Sequence, residues 1–80
     1  MSIREDVDVA IAAATQLNPP YDETADLAKD LSADSLDMIE IVMSLEERFS
    51  IEISEDDWAK VKSVSDAYAL VEGLVNANQG

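Results

Sequence analysis

The apolar positions of this chain fall at helical spacing over most of its length. Ile3, Val7, Ala10, Ile11 and Ala14 make one face of a helix that opens on a Ser-x-x-Glu capping box, Ser2 with Glu5, and ends near Gln16. Asn18-Pro19-Pro20 stops it. A polar stretch then runs to about Asp34, in which Leu27 and Leu31, four apart, are expected to pin the connection to the core. A connection of that length in a small domain is more often functional than decorative. A second helix is predicted to begin at Asp34, whose carboxylate can cap the orphan N–H groups of the first turn, with Asp37 adding favourable negative charge there. It runs to Phe49 or Ser50. Ile51-Glu52-Ile53 is a short extended link, and Ser54 with Asp57 signals a brief third helix through about Lys60. Ser63 with Asp66 opens a fourth carrying Val64, Ala67, Tyr68, Val71, Leu74 and Val75. Strand-like alternation is absent. The pattern predicts an all-α fold, a small helical bundle of three main helices and one short third helix, forming a single domain over residues 1–80.

The second helix carries more apolar side chains than one buried face needs. At about 100° per residue, Met38, Ile41, Val42, Leu45 and Phe49 share one sector, the expected core face. Leu36, Ile39 and Met43 form a second stripe flanked by Glu40, Glu46 and Glu47. Two readings are open at this point. Neighbouring helices can wrap far enough to bury both stripes, or the second stripe is a docking ridge bordered by carboxylates that steer basic partners.

Composition narrows the function. The 80 residues hold 18 acids and 5 bases, a net charge of −13, with no histidine and no cysteine. So short a chain buries only about 60% of its unfolded surface, which leaves no room for an enclosed active site. Thiolate nucleophiles, imidazole bases, disulfides and the usual zinc ligands are all missing. The negative charge disfavours nucleic acid and anionic membrane surfaces, and basic protein surfaces are its natural complement. No apolar run is long enough to span a membrane and MSIREDVDVA does not read as a signal peptide, so a cytoplasmic monomer without stable membrane association is expected.

Ser35 is the candidate for chemistry. It occupies the first helical position, after a long connection, where an attached phosphate would lie near the positive end of the helix dipole. The bland reading is a serine with local hydrogen bonds only. No histidine is present to activate its hydroxyl, so it reads as a substrate for modification by another enzyme rather than as a catalyst.

Leu31-Ser32-Ala33-Asp34-Ser35-Leu36-Asp37, followed by Glu40-Ile41-Val42-Met43-Ser44-Leu45-Glu46-Glu47-Arg48-Phe49 and then Ile53-Ser54-Glu55-Asp56-Asp57, closely resembles the freestanding acyl carrier proteins of fatty-acid and polyketide synthesis. The resemblance covers nearly the whole chain. It implies that Ser35 receives 4′-phosphopantetheine from coenzyme A in a magnesium-dependent transfer made by a phosphopantetheinyl transferase. The terminal thiol of that arm then carries an acyl chain as a thioester. Leu36, Ile39, Glu40, Met43 and Glu47 match the helix surface gripped by acyltransferases, ketosynthases and other acyl-processing enzymes. Asp34 and Asp37 match the acids that flank the modified serine and contact the transferase. Ile39, Leu45, Ile53 and Val61 are expected either to line an acyl cavity or to be plain core. The chain departs from the family pattern at Ser32, where glycine is frequent, at Leu27, where phenylalanine is common, and at Trp58, read first as an aromatic that braces the third helix against the core, with a role beside the arm or acyl chain as the alternative. The alternatives are a peptidyl or D-alanyl carrier, an unmodified acidic interaction module, and a calcium-binding helical protein. Ala33-Asp34 before Ser35 argues against the first. Against the last, position six of an EF-hand loop begun at Asp34 would be Ile39 in place of glycine.

Overall fold

The computed structural model describes residues 2–79 and contains helices α1 (Ile3–Thr15), α2 (Ser35–Phe49), α3 (Glu55–Ala59) and α4 (Val64–Gln79). Each start is fixed by a side chain within hydrogen-bond reach. Ser2 Oγ accepts from the Glu5 N–H at 3.1 Å, and Ser54 Oγ accepts from the Asp57 N–H at 3.0 Å. At α4, Ser63 Oγ accepts from the Asp66 N–H, while the Asp66 carboxylate accepts from the N–H groups of Ser63 and Lys62. Those two backbone donors hold the Asp66 carboxyl below the usual carboxylate value. Helices α1 and α2 end on residues in the left-handed region, Gln16 (φ 64°) and Ser50 (φ 53°).

Helix α1 packs against both α2 and α4. Val7 and Ile11 of α1, Ile41 and Leu45 of α2, and Val64 and Val71 of α4 are wholly excluded from solvent. Met38, Val42 and Phe49 are half-buried against that core, as the α2 wheel predicts. Arg48, in the last turn of α2, reaches Asp6 of α1 at 3.7 Å.

The long connection between α1 and α2 is sewn to the end of the α3–α4 link and the first residues of α4. Leu27 N–H donates to Lys62 O (2.8 Å), Val64 N–H to Ala25 O (3.0 Å) and Ser65 N–H to Glu23 O (2.9 Å). Leu27 is fully buried and Leu31 half-buried, so the two predicted pins both face inward. A fully buried leucine contributes about 1.5–3 kcal/mol, enough to hold a strand of chain that has little other packing. Asp26 and Asp30 tighten the turn between them. The Asp26 carboxylate accepts from the N–H groups of Ala28 and Lys29, and that of Asp30 accepts from Asp26 N–H. Ala33, also buried, donates its N–H to Leu27 O at 2.9 Å and delivers the chain to α2.

Between those anchors Ser32 has φ 58°. That value explains why glycine suits this position, since a side chain in the left-handed region meets its own backbone. Ser32→Gly is expected to stabilise the fold by about 0.5–1 kcal/mol, the relief of strain being partly offset by a looser unfolded chain. Thermal unfolding checks this, and a melting temperature that stays put or falls would refute it.

One contact ties α1 to α4 through a phenol. Tyr68, buried on α4, donates its O–H to Asp8 of α1 at 2.5 Å, and Arg4 lies 5.2 Å from the ring centre. Arg4 also pairs with Glu23 (2.9 Å) and Glu72 (3.2 Å), joining α1, the long connection and α4. Burial first, then the hydrogen bond to Asp8, pushes the Tyr68 phenol well above its ordinary value of 10.0. A pKa raised by folding stabilises the native state below the unfolded value and is lost as pH climbs beyond it. The chain is therefore expected to lose more stability between about pH 9 and about pH 11 than does Tyr68→Phe, measured by urea unfolding. Equal losses would remove Tyr68 from the account.

Candidate functional site

Ser35 is exposed at the first residue of α2. The acids on either side of it are engaged with the backbone. Asp34 Oδ1 accepts from Asp37 N–H at 2.9 Å and Asp37 Oδ2 accepts from Asp34 N–H at 3.2 Å, a reciprocal capping box around the serine. The second half of that box is a finding: for the helix start itself, spacing predicts only a favourable charge at Asp37. Both carboxylates thus serve to start the helix at Ser35. Asp34 is exposed and Asp37 half-buried.

Helix α2 then presents two different faces. Ile41 and Leu45 have no exposed surface, whereas Leu36, Ile39 and Met43 expose 64%, 54% and 61% of theirs. Neighbouring helices do not wrap the second stripe, and it stands in solvent as a ridge. Glu40 and Glu47 are exposed beside it. Glu46 behaves differently: half-buried, its carboxylate accepts from the Ile53 N–H at 2.9 Å and holds the link to α3 against α2. Arg48, the single base from Asp34 to Asp57 against nine acids, is paired with Asp6 on α1. The one base of α2 is thus directed to α1 and away from the acids beside the ridge.

A groove of about 370 Å³ opens between α2 and α3. Met38, Ile39, Val42 and Met43 form its α2 wall; Ile53, Trp58 and Ala59 form the other, with Ser54 and Glu55 at the start of α3 completing it. The four residues expected to line an acyl cavity separate here. Ile39 and Ile53 line the groove. Leu45 lies in the fully buried core, and Val61 packs against that core without lining the groove. The reason is angular: Leu45 shares the Ile41 face of α2, which is sealed in the core, while Met38, Ile39, Val42 and Met43 border the groove. Trp58 braces α3 against the core, as expected, and also lines the groove. Its groove position depends on how α3 lies across α2, which local spacing does not encode.

Among the described residues no group of three or more Asp or Glu side chains is arranged to hold a metal ion, and no helix is long and apolar enough to cross a membrane.

Comparison with known proteins agrees with this geometry. Residues 5–71 match the family described as the phosphopantetheine attachment site. The acyl carrier protein of Wolinella succinogenes is 37% identical over 73 residues, spanning 90% of this chain and 96% of that protein. That of Chlamydia muridarum is also 37% identical, over 95% of this chain and all of the other. Among solved structures, one described as an acyl carrier protein from Mycobacterium tuberculosis superposes with a TM-score of 0.84 at 28% identity, covering 90% of this chain and 97% of that one. The acetyl actinorhodin acyl carrier protein of Streptomyces coelicolor shares the fold, with a TM-score of 0.69 at 22% identity over 94% of this chain and 92% of that one.

Proposed function

Because this chain belongs to the acyl carrier protein family, whose members hold 4′-phosphopantetheine covalently, we propose that Ser35 is the residue that bears the arm. The observation that carries this reading is an exposed hydroxyl at the first residue of a fifteen-residue helix, held there by the Asp34–Asp37 box. The position fits the group. A phosphodiester at Ser35 Oγ faces water, and the positive end of α2 offsets its repulsion from Asp34 and Asp37. Ser35 Oγ forms the new bond to phosphorus as the pyrophosphate link of coenzyme A breaks and the adenosine bisphosphate leaves. The hydroxyl proton passes to a base of the phosphopantetheinyl transferase, since the flanking carboxylates are bound to backbone N–H groups.

The arm supplies the thiol on which an acyl group rides as a thioester, and this chain's residues present it. Leu36, Ile39 and Met43 give a partner apolar contact, while Asp34, Asp37, Glu40 and Glu47 steer basic docking patches toward Ser35. The partners are the transferase and the acyltransferases, ketosynthases and related enzymes of fatty-acid or polyketide-type synthesis, met by a monomeric carrier in the cytoplasm. Serving many enzymes in turn favours fast, weak, charge-steered contacts over a tight interface. The groove beside Ile39 and Ile53 receives the acyl chain between visits; it begins three residues after Ser35, about 5 Å along the helix axis.

Incubation with coenzyme A, magnesium and a broad-specificity phosphopantetheinyl transferase tests the proposal. The intact mass should rise by one phosphopantetheinyl group, and no rise would leave the chain an unmodified interaction module.

A further inference from the structure

We propose that Trp58 is the residue that selects the cargo, and that it favours an aryl-ended acyl chain over a saturated linear one. This rests on the reading that Ser35 carries the arm, since that arm brings the chain to the groove. Two observations lead to it. First, the groove, of about 370 Å³, begins three residues after Ser35 on the same helix, so a chain carried on Ser35 meets it. Second, its walls are unusually polarisable for so few residues: the single indole of the chain and two of its three thioethers, Met38 and Met43, line the same groove.

Those groups discriminate by shape. A flat ring gains from offset or edge contact with an indole beyond the area it buries, and thioethers likewise favour ring edges. A linear chain gains only the area. Trp58 also packs against the core, so part of its side-chain freedom is already given up before the cargo arrives.

The test compares 3-phenylpropionyl and nonanoyl, two acyl groups with nine carbons each and the same thioester chemistry. Each is loaded on the full chain through its phosphopantetheine thioester. Protection is read as the slowing of hydroxylamine cleavage relative to the same thioester of free pantetheine. The ratio of aryl to linear protection should fall roughly three- to tenfold in Trp58→Leu, the range set by one aromatic contact, and Trp58→Phe should keep most of it. Far-ultraviolet circular dichroism confirms that both variants fold. An aryl-to-linear ratio that is the same in Trp58→Leu as in the unsubstituted chain overturns the proposal. Intact mass distinguishes this failure from failure of the arm reading, because an unloaded chain shows no mass gain at all. In that event the free pantetheine thioesters are titrated against the unmodified chain. Methyl signals of Ile39 and Ile53 should then shift more for the aryl compound, and only when Trp58 is present; shifts indifferent to Trp58 overturn the proposal there too.

Discussion

Reversing the charge at Glu40 and Glu47 together is expected to lower kcat/KM for transferase loading by roughly tenfold at low salt, the smaller end of what charge steering supplies. Both carboxylates are exposed and neither closes a helix cap, so the fold should survive the change. The only base in that part of the chain, Arg48, is turned to Asp6, leaving nothing on α2 to cancel their field. With two charges reversed, a basic partner loses attraction and meets repulsion on the surface that borders Leu36, Ile39 and Met43. The dependence of kcat/KM on ionic strength should flatten as well, since salt at about 0.15 M already screens interactions beyond about 8 Å. Glu5→Lys, on α1, carries the same change in net charge as Glu40→Lys alone and is compared with it. Unchanged loading in the double variant, or a fall in Glu5→Lys equal to that in Glu40→Lys, would return Glu40 and Glu47 to an ordinary solvated face.

Much of this architecture was legible because its determinants are local. A serine or aspartate and the N–H three residues later are neighbours along the chain, so Ser2, Asp34, Ser54 and Ser63 announce four helix starts without any knowledge of the fold. The two stripes of α2 are equally local, being a matter of rotation about one axis. What local spacing leaves open is which stripe finds a neighbour, and exposure of Leu36, Ile39 and Met43 answers that. The parts of the site that escaped sequence reading all depend on contacts between elements. Leu45 and Ile53 look alike as aliphatic candidates for a cavity and both join the buried core, yet only Ile53 also lines the groove. Glu46 resembles Glu40 and Glu47 on the wheel, and only the position of Ile53 shows that its carboxylate holds the link to α3. Tyr68 and Asp8 are 60 residues apart, so their bond has no signature in either neighbourhood.

The same structure explains why a chain of −13 charge with neither histidine nor cysteine can take part in chemistry. Its nucleophilic sulfur comes with the arm, and no thiol of its own competes for the thioester. The acids that look like a solvated surface by count are divided by the fold into three tasks. Asp34 and Asp37 set the helix start, Glu46 and Asp66 satisfy buried or orphan backbone groups, and Glu40 and Glu47 stand exposed beside the ridge, the place the proposed docking requires.

The second large effect concerns the attachment point. Ser35→Ala removes the oxygen that bonds to phosphorus but leaves the capping box untouched, because Asp34 and Asp37 exchange backbone hydrogen bonds without the serine side chain. Alanine is also a strong helix former at an exposed site, so the variant should fold at least as well. Loading should be abolished outright rather than slowed, since Asp34 and Asp37 offer no hydroxyl in its place. Ser32→Ala, three residues upstream, tests whether any exposed serine near α2 will serve.

The most direct measurement is intact mass after exhaustive transferase treatment of the unsubstituted chain, Ser35→Ala and Ser32→Ala side by side. The account predicts a gain of one phosphopantetheinyl group in the unsubstituted chain and in Ser32→Ala, and none in Ser35→Ala. The same gain in Ser35→Ala would contradict it.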